Sequence, residues 1–333
     1  MTSFQKPFWL FVLGNALLGA SCGGTSPSSS TDAHQSDGGP GGTFGCPIPS
    51  NEGGCIPVAV ESRSAPANYS CRGSRQAPPY GDPRPLTLRL EVFGMAGQVA
   101  RNTKIWFFPD NTIRDRCEAP NCQEVTTNEM GEAPVQVRGQ GWYAYRVFQN
   151  LMGQTLATKY TDSVQYNEAP PSSGMLRATA VAFSTLELIP SLLGLVREVG
   201  TSIVAGRIQD CNDKNVEGAF VRLFREDGSE ILDAGPNRAD GPHIRYFTST
   251  GDRNTPSNDQ PYTNSEGLYA SLNIPSNQLI RVEAWGQLQA GGEMVLLGCE
   301  AILALANGVS IINIEPLRSD YPSGHPCSLQ RSP

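Results

Sequence analysis

The stretch Leu86-Thr-Leu-Arg-Leu-Glu-Val-Phe93 alternates apolar and polar side chains. Successive side chains of a strand point to opposite faces, so this pattern predicts a strand with one buried face. Other short apolar runs follow, and turn signals such as Pro109-Asp-Asn111 and Gly139-Gln-Gly141 separate them. Short strands at this spacing favour an all-β sandwich.

The composition agrees with a turn-rich, exported β-protein. Gly and Pro contribute 35 and 26 of the 333 residues, and charged residues make up only 17%. At about 150 residues per domain, this length predicts two domains. The net charge of −7 argues against a nucleic-acid partner. The three histidines lie far apart in the sequence, which is poor material for a zinc hydrolase or a histidine-based triad.

The second half of the chain repeats the pattern of the first. Gln98-Val99 and Ile105-Trp106-Phe107 match Asn215-Val216 and Arg222-Leu223-Phe224 at an offset of 117. Thr127-Asn128-x-x-Gly131 matches Thr263-Asn264-x-x-Gly267 at an offset of 136. The 19 additional residues predict an extra loop at about Ile231 to Pro261, which could carry function or form a hairpin that covers the sandwich. Self-similarity of this kind indicates a tandem duplication.

The second repeat resembles a known family. Val216-Glu-Gly-Ala-Phe-Val-Arg-Leu223, Thr263-Asn-Ser-Glu-Gly-Leu-Tyr269 and Arg281-Val-Glu-Ala-Trp285 are similar to the carboxypeptidase regulatory-like domain. The resemblance implies a transthyretin-like, seven-stranded, Ig-like sandwich that is non-catalytic. It covers residues 200–317 well and 85–190 loosely, because Arg101-Asn-Thr-Lys104 stands where the Gly-Ala pair would fall. The whole chain also resembles the lipoproteins of myxobacteria and their relatives.

The N-terminal residues predict export. Lys6 precedes an apolar run that is too short for a good membrane-spanning helix. Leu18-Gly-Ala-Ser-Cys22 resembles a bacterial lipobox, in which the cysteine is acylated, although Gly19 stands where the family prefers Leu, Val or Ile. The alternative is ordinary signal-peptide cleavage, for example after Ala20. By analogy with lipoprotein sorting, the lack of Asp after Cys22 favours the outer membrane.

Together these features predict six segments. In chain order they are a lipoprotein signal peptide (1–21), a flexible Gly/Ser/Pro-rich tether (22–45), a Cys-rich N-terminal segment (46–84), a first β-sandwich domain (85–199), a second, carboxypeptidase regulatory-like β-sandwich domain (200–317) and a C-terminal tail (318–333).

The nine cysteines support the same interpretation. With Cys22 taken for lipid, eight remain, enough for four disulfides in an exported protein. Cys117 and Cys122 flank a Pro-Asn turn and predict a stapled loop. Cys211 and Cys299 lie beside strands of the same repeat and are expected to pair. The others could tie the N-terminal segment to the C-terminal tail, and these are Cys46, Cys55, Cys71 and Cys327. Metal ligation and redox activity are alternatives without CxxC spacing to support them.

The candidate binding residues are Trp142, Tyr143 and Tyr145. Strand alternation puts Trp142 on one face with Phe148, and the two tyrosines on the other. If only one face is core, the other presents aromatic rings that can stack on sugars or anchor a protein. The alternative is that scattered surface aromatics have no role.

No catalytic residue, cofactor or metal site is predicted. The acidic stretch Asp210 to Glu217 lacks EF-hand spacing, and turn chemistry explains it. The expected function is a non-enzymatic cell-envelope lipoprotein with a structural or adhesive role. Its partners would be the membrane, through the lipid anchor, and a protein or glycan of the envelope. The alternatives are a carbohydrate-binding module that uses exposed aromatics, and a hydrolase built around His243.

Overall fold

A computed structural model describes residues 58–93, 95, 97–152, 159–235, 238–250 and 253–328, without the side chains of residues 249, 250 and 253. The predicted signal peptide, the lipidation site Cys22, the tether, and Cys46 and Cys55 lie outside the described residues. The domain bounds stay predictions.

The described chain forms fifteen strands and one short helix, so the predicted all-β sandwich class is confirmed. The elements are β1 (Pro83–Val92), β2 (Lys104–Phe108), β3 (Gln123–Thr126), β4 (Glu132–Arg138), β5 (Tyr143–Val147), β6 (Ser163–Glu168), β7 (Met175–Ala180), α1 (Phe183–Leu192), β8 (Ser202–Arg207), β9 (Phe220–Phe224), β10 (His243–Thr250), β11 (Arg253–Ser257), β12 (Leu268–Ile274), β13 (Leu279–Gln287), β14 (Met294–Leu303) and β15 (Val309–Ile312).

Three sheets organise these strands. A nine-stranded sheet has the order β11-β10-β12-β8-β15-β6-β5-β2-β3, and two three-stranded sheets have the orders β4-β1-β7 and β14-β13-β9. The strand β15 is parallel to both β6 and β8, and it thereby joins strands of the first and second halves into one sheet. The two halves therefore share backbone hydrogen bonds as well as side-chain contacts.

Both halves have the same strand topology. In the first half, β4-β1-β7 packs on β6-β5-β2-β3, and the equivalent sheets of the second half are β12-β8-β15 and β14-β13-β9, in the same order. The core of the first half contains Leu88, Phe107 and Leu176. The larger core lies on the opposite face of the nine-stranded sheet, where Phe108 and Ala144 contribute together with Val221 and Val282.

A corner built on Thr-Asn-x-x-Gly recurs in both halves. The backbone N–H of Thr127 donates to Thr103 O at 3.1 Å. The Thr127 hydroxyl accepts from Thr103 N–H at 3.0 Å and donates to Ala100 O at 2.8 Å. Thr263 makes the same three bonds, at 2.9, 3.0 and 2.8 Å, with Ala219 and Val216. This agreement atom by atom is what a duplicated unit predicts.

These bonds correct the sequence alignment by one residue. Thr103 corresponds to Ala219 and Ala100 to Val216, which is an offset of 116 rather than the predicted 117. The sequence match paired Val99 with Val216 because the residue types agree. A slip of one residue exchanges the two faces of a strand. Trp106 therefore corresponds to Arg222 and not to Leu223.

The apolar run from Leu176 to Ile189 forms most of one strand and most of the helix. β7 ends at Ala180, and α1 begins at Phe183. The helix places Leu186 against Ile203, Val309 and Ile311, on a face of the nine-stranded sheet that neither smaller sheet covers. The need to cover this face explains why the run changes from strand to helix.

The extra residues of the second half include an added hairpin. β10 pairs with β12, and β11 pairs with β10 at the end of the nine-stranded sheet. On β10, Arg245 is 1% exposed and donates to Asp233 at 2.8 Å and to Asn258 at 2.9 Å. The hairpin lengthens the sheet, and this buried ion pair holds it to the loop before it.

Three disulfides lie within the described residues. Cys117 bonds to Cys122, as the stapled loop predicts. Cys211 bonds to Cys71 rather than to Cys299, and Cys299 bonds to Cys327. The expected Cys211–Cys299 disulfide was wrong. Cys299 lies opposite Glu283 on the neighbouring strand, on the face of the sheet that is turned away from the main core. Tyr321 covers Cys299 on that face. The N-terminal segment is thus tied to the second half, and the tail to β14.

Candidate functional site

The predicted aromatic binding residues are all buried. Trp142, Tyr143 and Tyr145 are 4%, 2% and 1% exposed. The two tyrosine rings stack in the core of the first half, and the Arg318 guanidinium lies 5.2 Å from the Trp142 ring. The prediction of an exposed face was wrong because the β4-β1-β7 sheet covers the two tyrosines, and Trp142 lies against Arg318 of the C-terminal segment. These three residues are core residues and cannot form a surface site.

A different aromatic patch lies on the outer part of the same sheet. Lys104 and Trp106 on β2 share a face with Arg146 on β5 and with Phe148, the residue that follows β5. The rings of Trp106 and Phe148 meet edge to face, with centroids 4.7 Å apart. Both rings are half-buried. We call these four residues, with Glu124 and Asp162, the Trp106 patch.

Two cationic side chains lie close to the rings of Trp106 and Phe148. The Lys104 ammonium lies 5.6 Å from the Trp106 centroid and 5.0 Å from that of Phe148. The Arg146 guanidinium lies 5.9 and 4.7 Å from the same two centroids. Such cation–π contacts are worth about 0.5–1 kcal/mol at exposed sites, so they hold the rings in place more than they drive folding.

Two carboxylates complete the Trp106 patch. Glu124 accepts hydrogen bonds from Lys104 at 2.8 Å and from the Trp106 indole N–H at 2.7 Å, and these bonds lower the pKa of Glu124. Asp162 pairs with Arg146 at 3.1 Å. The patch contains two cations and two anions, so it is polar with no net charge. A partly exposed ring can stack on an apolar ring face, and the fixed donors and acceptors beside it can hydrogen-bond to hydroxyl groups around that face.

Sequence reasoning missed the Trp106 patch because the patch depends on cross-strand register. Trp106 lies opposite Arg146 in the β2–β5 pair. The alternation along β5 does place Arg146 and Phe148 on one face, and this was the available signal. The sequence alone does not show which residue of β2 lies opposite Arg146, so it does not bring Trp106 to that face.

The acidic stretch at Asp210 is a turn. The Asp210 carboxylate accepts backbone N–H groups from Asn212 at 2.9 Å, Lys214 at 3.0 Å and Asn68 at 3.1 Å. These bonds use the oxygen atoms that a cation would need. Within the part of the chain that the structure describes, no group of three or more His, Cys, Asp or Glu side chains could hold a metal ion.

His243 does not line a cleft. It is fully buried, and its Nδ1 accepts from Arg245 at 2.9 Å. Its Nε2 donates to Asp240 O at 3.2 Å. Burial, with the Arg245 charge beside it, lowers the pKa of His243, so the neutral ring is favoured. Because both ring nitrogens are used internally, the geometry does not support the alternative of a hydrolase built on His243.

An apolar crevice of about 30 Å³ lies between α1 and the nine-stranded sheet. Its walls include Phe93, Leu186, Ile203, Phe247 and Ile311. Apart from Thr185, the residues that line it are apolar, so it offers mainly apolar contact. Among the described residues, no helix is both long and apolar enough to cross a bilayer.

Comparisons with known proteins give only distant structural likeness. No family model matches the chain, and no curated protein matches it in sequence. The Bacillus anthracis TIE protein is 12% identical over 70% of this chain, with a TM-score of 0.21, and the match spans 34% of that protein's length. The shaft pilin SpaA from Lactobacillus rhamnosus GG is 13% identical over 71% of this chain and 98% of its own, with a TM-score of 0.21.

A third solved structure, a DUF3823 family protein from Parabacteroides merdae, is 10% identical over 68% of this chain and 99% of its own, with a TM-score of 0.20. Identities and TM-scores this low assign neither a family nor a function. A proposal about function therefore depends on the side chains of this chain.

Proposed function

We propose that this chain is a non-enzymatic, exported module with an adhesive role, which binds glycan of the envelope or its surroundings through the Trp106 patch. The observation that carries the proposal is the pair of partly exposed rings that lie beside two cations and two carboxylates. Sugar rings present apolar faces ringed by hydroxyls, and aromatic faces beside planar polar groups complement both features.

The disulfides support the exported part of the proposal. Three disulfides, Cys71–Cys211, Cys117–Cys122 and Cys299–Cys327, fit an oxidising compartment, because such bonds persist outside the cytosol. They leave Cys22, Cys46 and Cys55 of the nine cysteines. A bond between the last two would leave only Cys22, which is the parity expected of a lipid-anchored chain.

We expect Trp106→Ala to reduce retention on glycan at least tenfold, because truncating an aromatic anchor such as Trp typically costs about 2 kcal/mol or more, and about 1.4 kcal/mol is tenfold in affinity. The measurement is a depletion assay of the full mature chain on cellulose, chitin and peptidoglycan sacculi. Phe148→Ala should give a loss of the same kind. Tyr80→Ala removes an exposed aromatic ring outside the patch and serves as the matched control.

Circular dichroism and thermal melts establish that each variant is folded before its binding is compared. Failure of the unmodified chain to bind any of the three polymers would overturn the glycan proposal. So would equal retention of folded Trp106→Ala, Phe148→Ala and wild-type proteins.

The lipid anchor gives a separate prediction. The intact mass of protein purified from native membranes is expected to equal a chain that begins at an acylated Cys22, because a lipobox cysteine becomes the modified N-terminus. Several acyl chains hold a protein stably at a membrane where one does not. The Cys22→Ser variant should appear in the soluble fraction. An unlipidated chain cleaved at another residue would contradict the anchor and leave a soluble secreted or periplasmic module.

A further inference from the structure

The second half of the chain carries an aromatic and cationic surface at positions equivalent to the Trp106 patch. With the corrected offset of 116, Trp106 on β2 corresponds to Arg222 on β9. The partner of Trp106 across the sheet is Arg146, and the partner of Arg222 is Glu283. Two residues beyond these partners stand Phe148 and Trp285. The duplicated unit thus places an aromatic ring at the same site in both halves.

The local geometry in the second half is similar. The Arg222 guanidinium lies 5.8 Å from the Trp285 centroid and 5.2 Å from that of Phe224, whose other close cation is Arg281 at 4.2 Å. The indole N–H of Trp285 donates to Glu283 at 2.9 Å, as that of Trp106 donates to Glu124. Again a ring lies beside a cation and donates to a carboxylate.

A carboxylate on a neighbouring segment holds the cation in each half. Glu230 pairs with Arg222 through two hydrogen bonds, at 2.7 and 2.5 Å. Arg222 and Glu230 are about one-third exposed, and Trp285 is half-buried. We call Arg222, Phe224, Glu230, Arg281, Glu283 and Trp285 the Trp285 patch. Arg222, Glu230 and Trp285 are partly exposed members of this patch.

The two patches face the same side of the molecule. Trp106 shares its face of the nine-stranded sheet with Phe108 and Ala144, which belong to the core beneath the β14-β13-β9 sheet. On β9 and β13, Val221 and Val282 point into that core, so the alternate residues of these strands face outward. Packed sheets lie about 10 Å apart, so the Trp285 patch stands one layer above the Trp106 patch on this side.

We propose that the Trp285 patch is a second glycan-contact site, and that the ligand is a neutral polysaccharide long enough to reach both patches. This inference rests on the proposed function of the Trp106 patch. Each patch contains two basic and two acidic side chains, so neither attracts a polyanion. Two contacts on one polymer convert the second binding event into an intramolecular one, and such linkage raises avidity by up to about 10²–10⁴.

The test compares a polymer with its short soluble unit. Binding of the full mature chain is measured on cellulose and chitin by depletion, and to cellobiose and chitobiose by titration calorimetry. The variants are Trp106→Ala, Trp285→Ala and the double variant, with Tyr80→Ala as the control. Arg222→Gln removes the cation but keeps most of the side-chain stem, so it replaces Trp285→Ala if that variant does not fold.

We expect Trp285→Ala to weaken binding to the polymer at least tenfold, and the double variant to abolish it. Binding of the disaccharide at the Trp106 patch should stay within twofold of wild type in Trp285→Ala. A folded Trp285→Ala or Arg222→Gln variant with unchanged binding to the polymer would overturn the second site, while loss in Trp106→Ala would still support the first. An equal loss of polymer and disaccharide binding in Trp285→Ala would overturn two-point binding. Unchanged binding in both single variants would overturn the proposed function itself.

Discussion

Replacing both Cys71 and Cys211 by serine is expected to lower the free energy of unfolding by about 5 kcal/mol. This disulfide closes a loop of 140 residues, and the entropy that a cross-link removes from the unfolded chain grows with the logarithm of loop length. At about 2–4 °C per kcal/mol, Tm should fall by roughly 10–20 °C. Guanidinium unfolding and thermal melts, both under non-reducing conditions, measure the change.

The matched control is the Cys117→Ser/Cys122→Ser double variant. Its disulfide spans only 5 residues, so the same argument gives a loss of about 2 kcal/mol. Equal losses in the two double variants would contradict the loop-length argument. A loss confined to the long-range pair would show that the tie between the N-terminal segment and the second half is the one that stabilises the fold.

We expect Gly267→Ala to cost about 3–4 kcal/mol, which is at the high end for a single substitution. Gly267 has a φ of +68°, where an L-residue pays about 1–2 kcal/mol. An added Cβ would also lie 2.6 Å from the carbonyl oxygen of Ile208. That oxygen accepts from Val216 N–H, and Ile208 N–H donates to Gly267 O at 2.9 Å, so hydrogen bonds fix the backbone on both sides.

Gly228→Ala is the control for Gly267→Ala. Gly228 has a φ of +85°, and no atom of the described residues lies within 4 Å of the position its Cβ would take. Its loss should therefore be only the conformational cost of about 1 kcal/mol. Denaturant midpoints at constant m-value separate the two variants. If Gly267→Ala and Gly228→Ala lose the same free energy of unfolding, the close approach of Gly267 to the end of β8 does not constrain packing.

Local patterns predict the class of this fold well. The alternation in Leu86–Phe93 predicted a strand, and the structure confirms it. The recurrence of Thr-Asn-x-x-Gly marks a corner that has the same hydrogen bonds in both halves. These features depend on residues within a few positions of one another, which a single sequence displays directly.

Features that depend on distant neighbours could not be predicted in this way. Tyr143 and Tyr145 are buried because the β4-β1-β7 sheet packs on their face of β5, and the sequence of β5 does not show that this sheet lies there. The pairing of Cys211 depends on where residue 71 crosses the second half. The Trp106 patch likewise needs the β2–β5 register, and a slip of one residue in the repeat alignment was enough to hide its equivalent at Arg222.

The disulfides also define how the chain would carry a stretching force. If residues 58 and 328 are pulled apart, the shortest covalent route crosses from Cys71 to Cys211 and from Cys299 to Cys327. Residues 72–210 lie on a side branch of this route, so backbone tension bypasses them. The first half, with its Trp106 patch, therefore stays out of the tensioned path while the second half bears the pull.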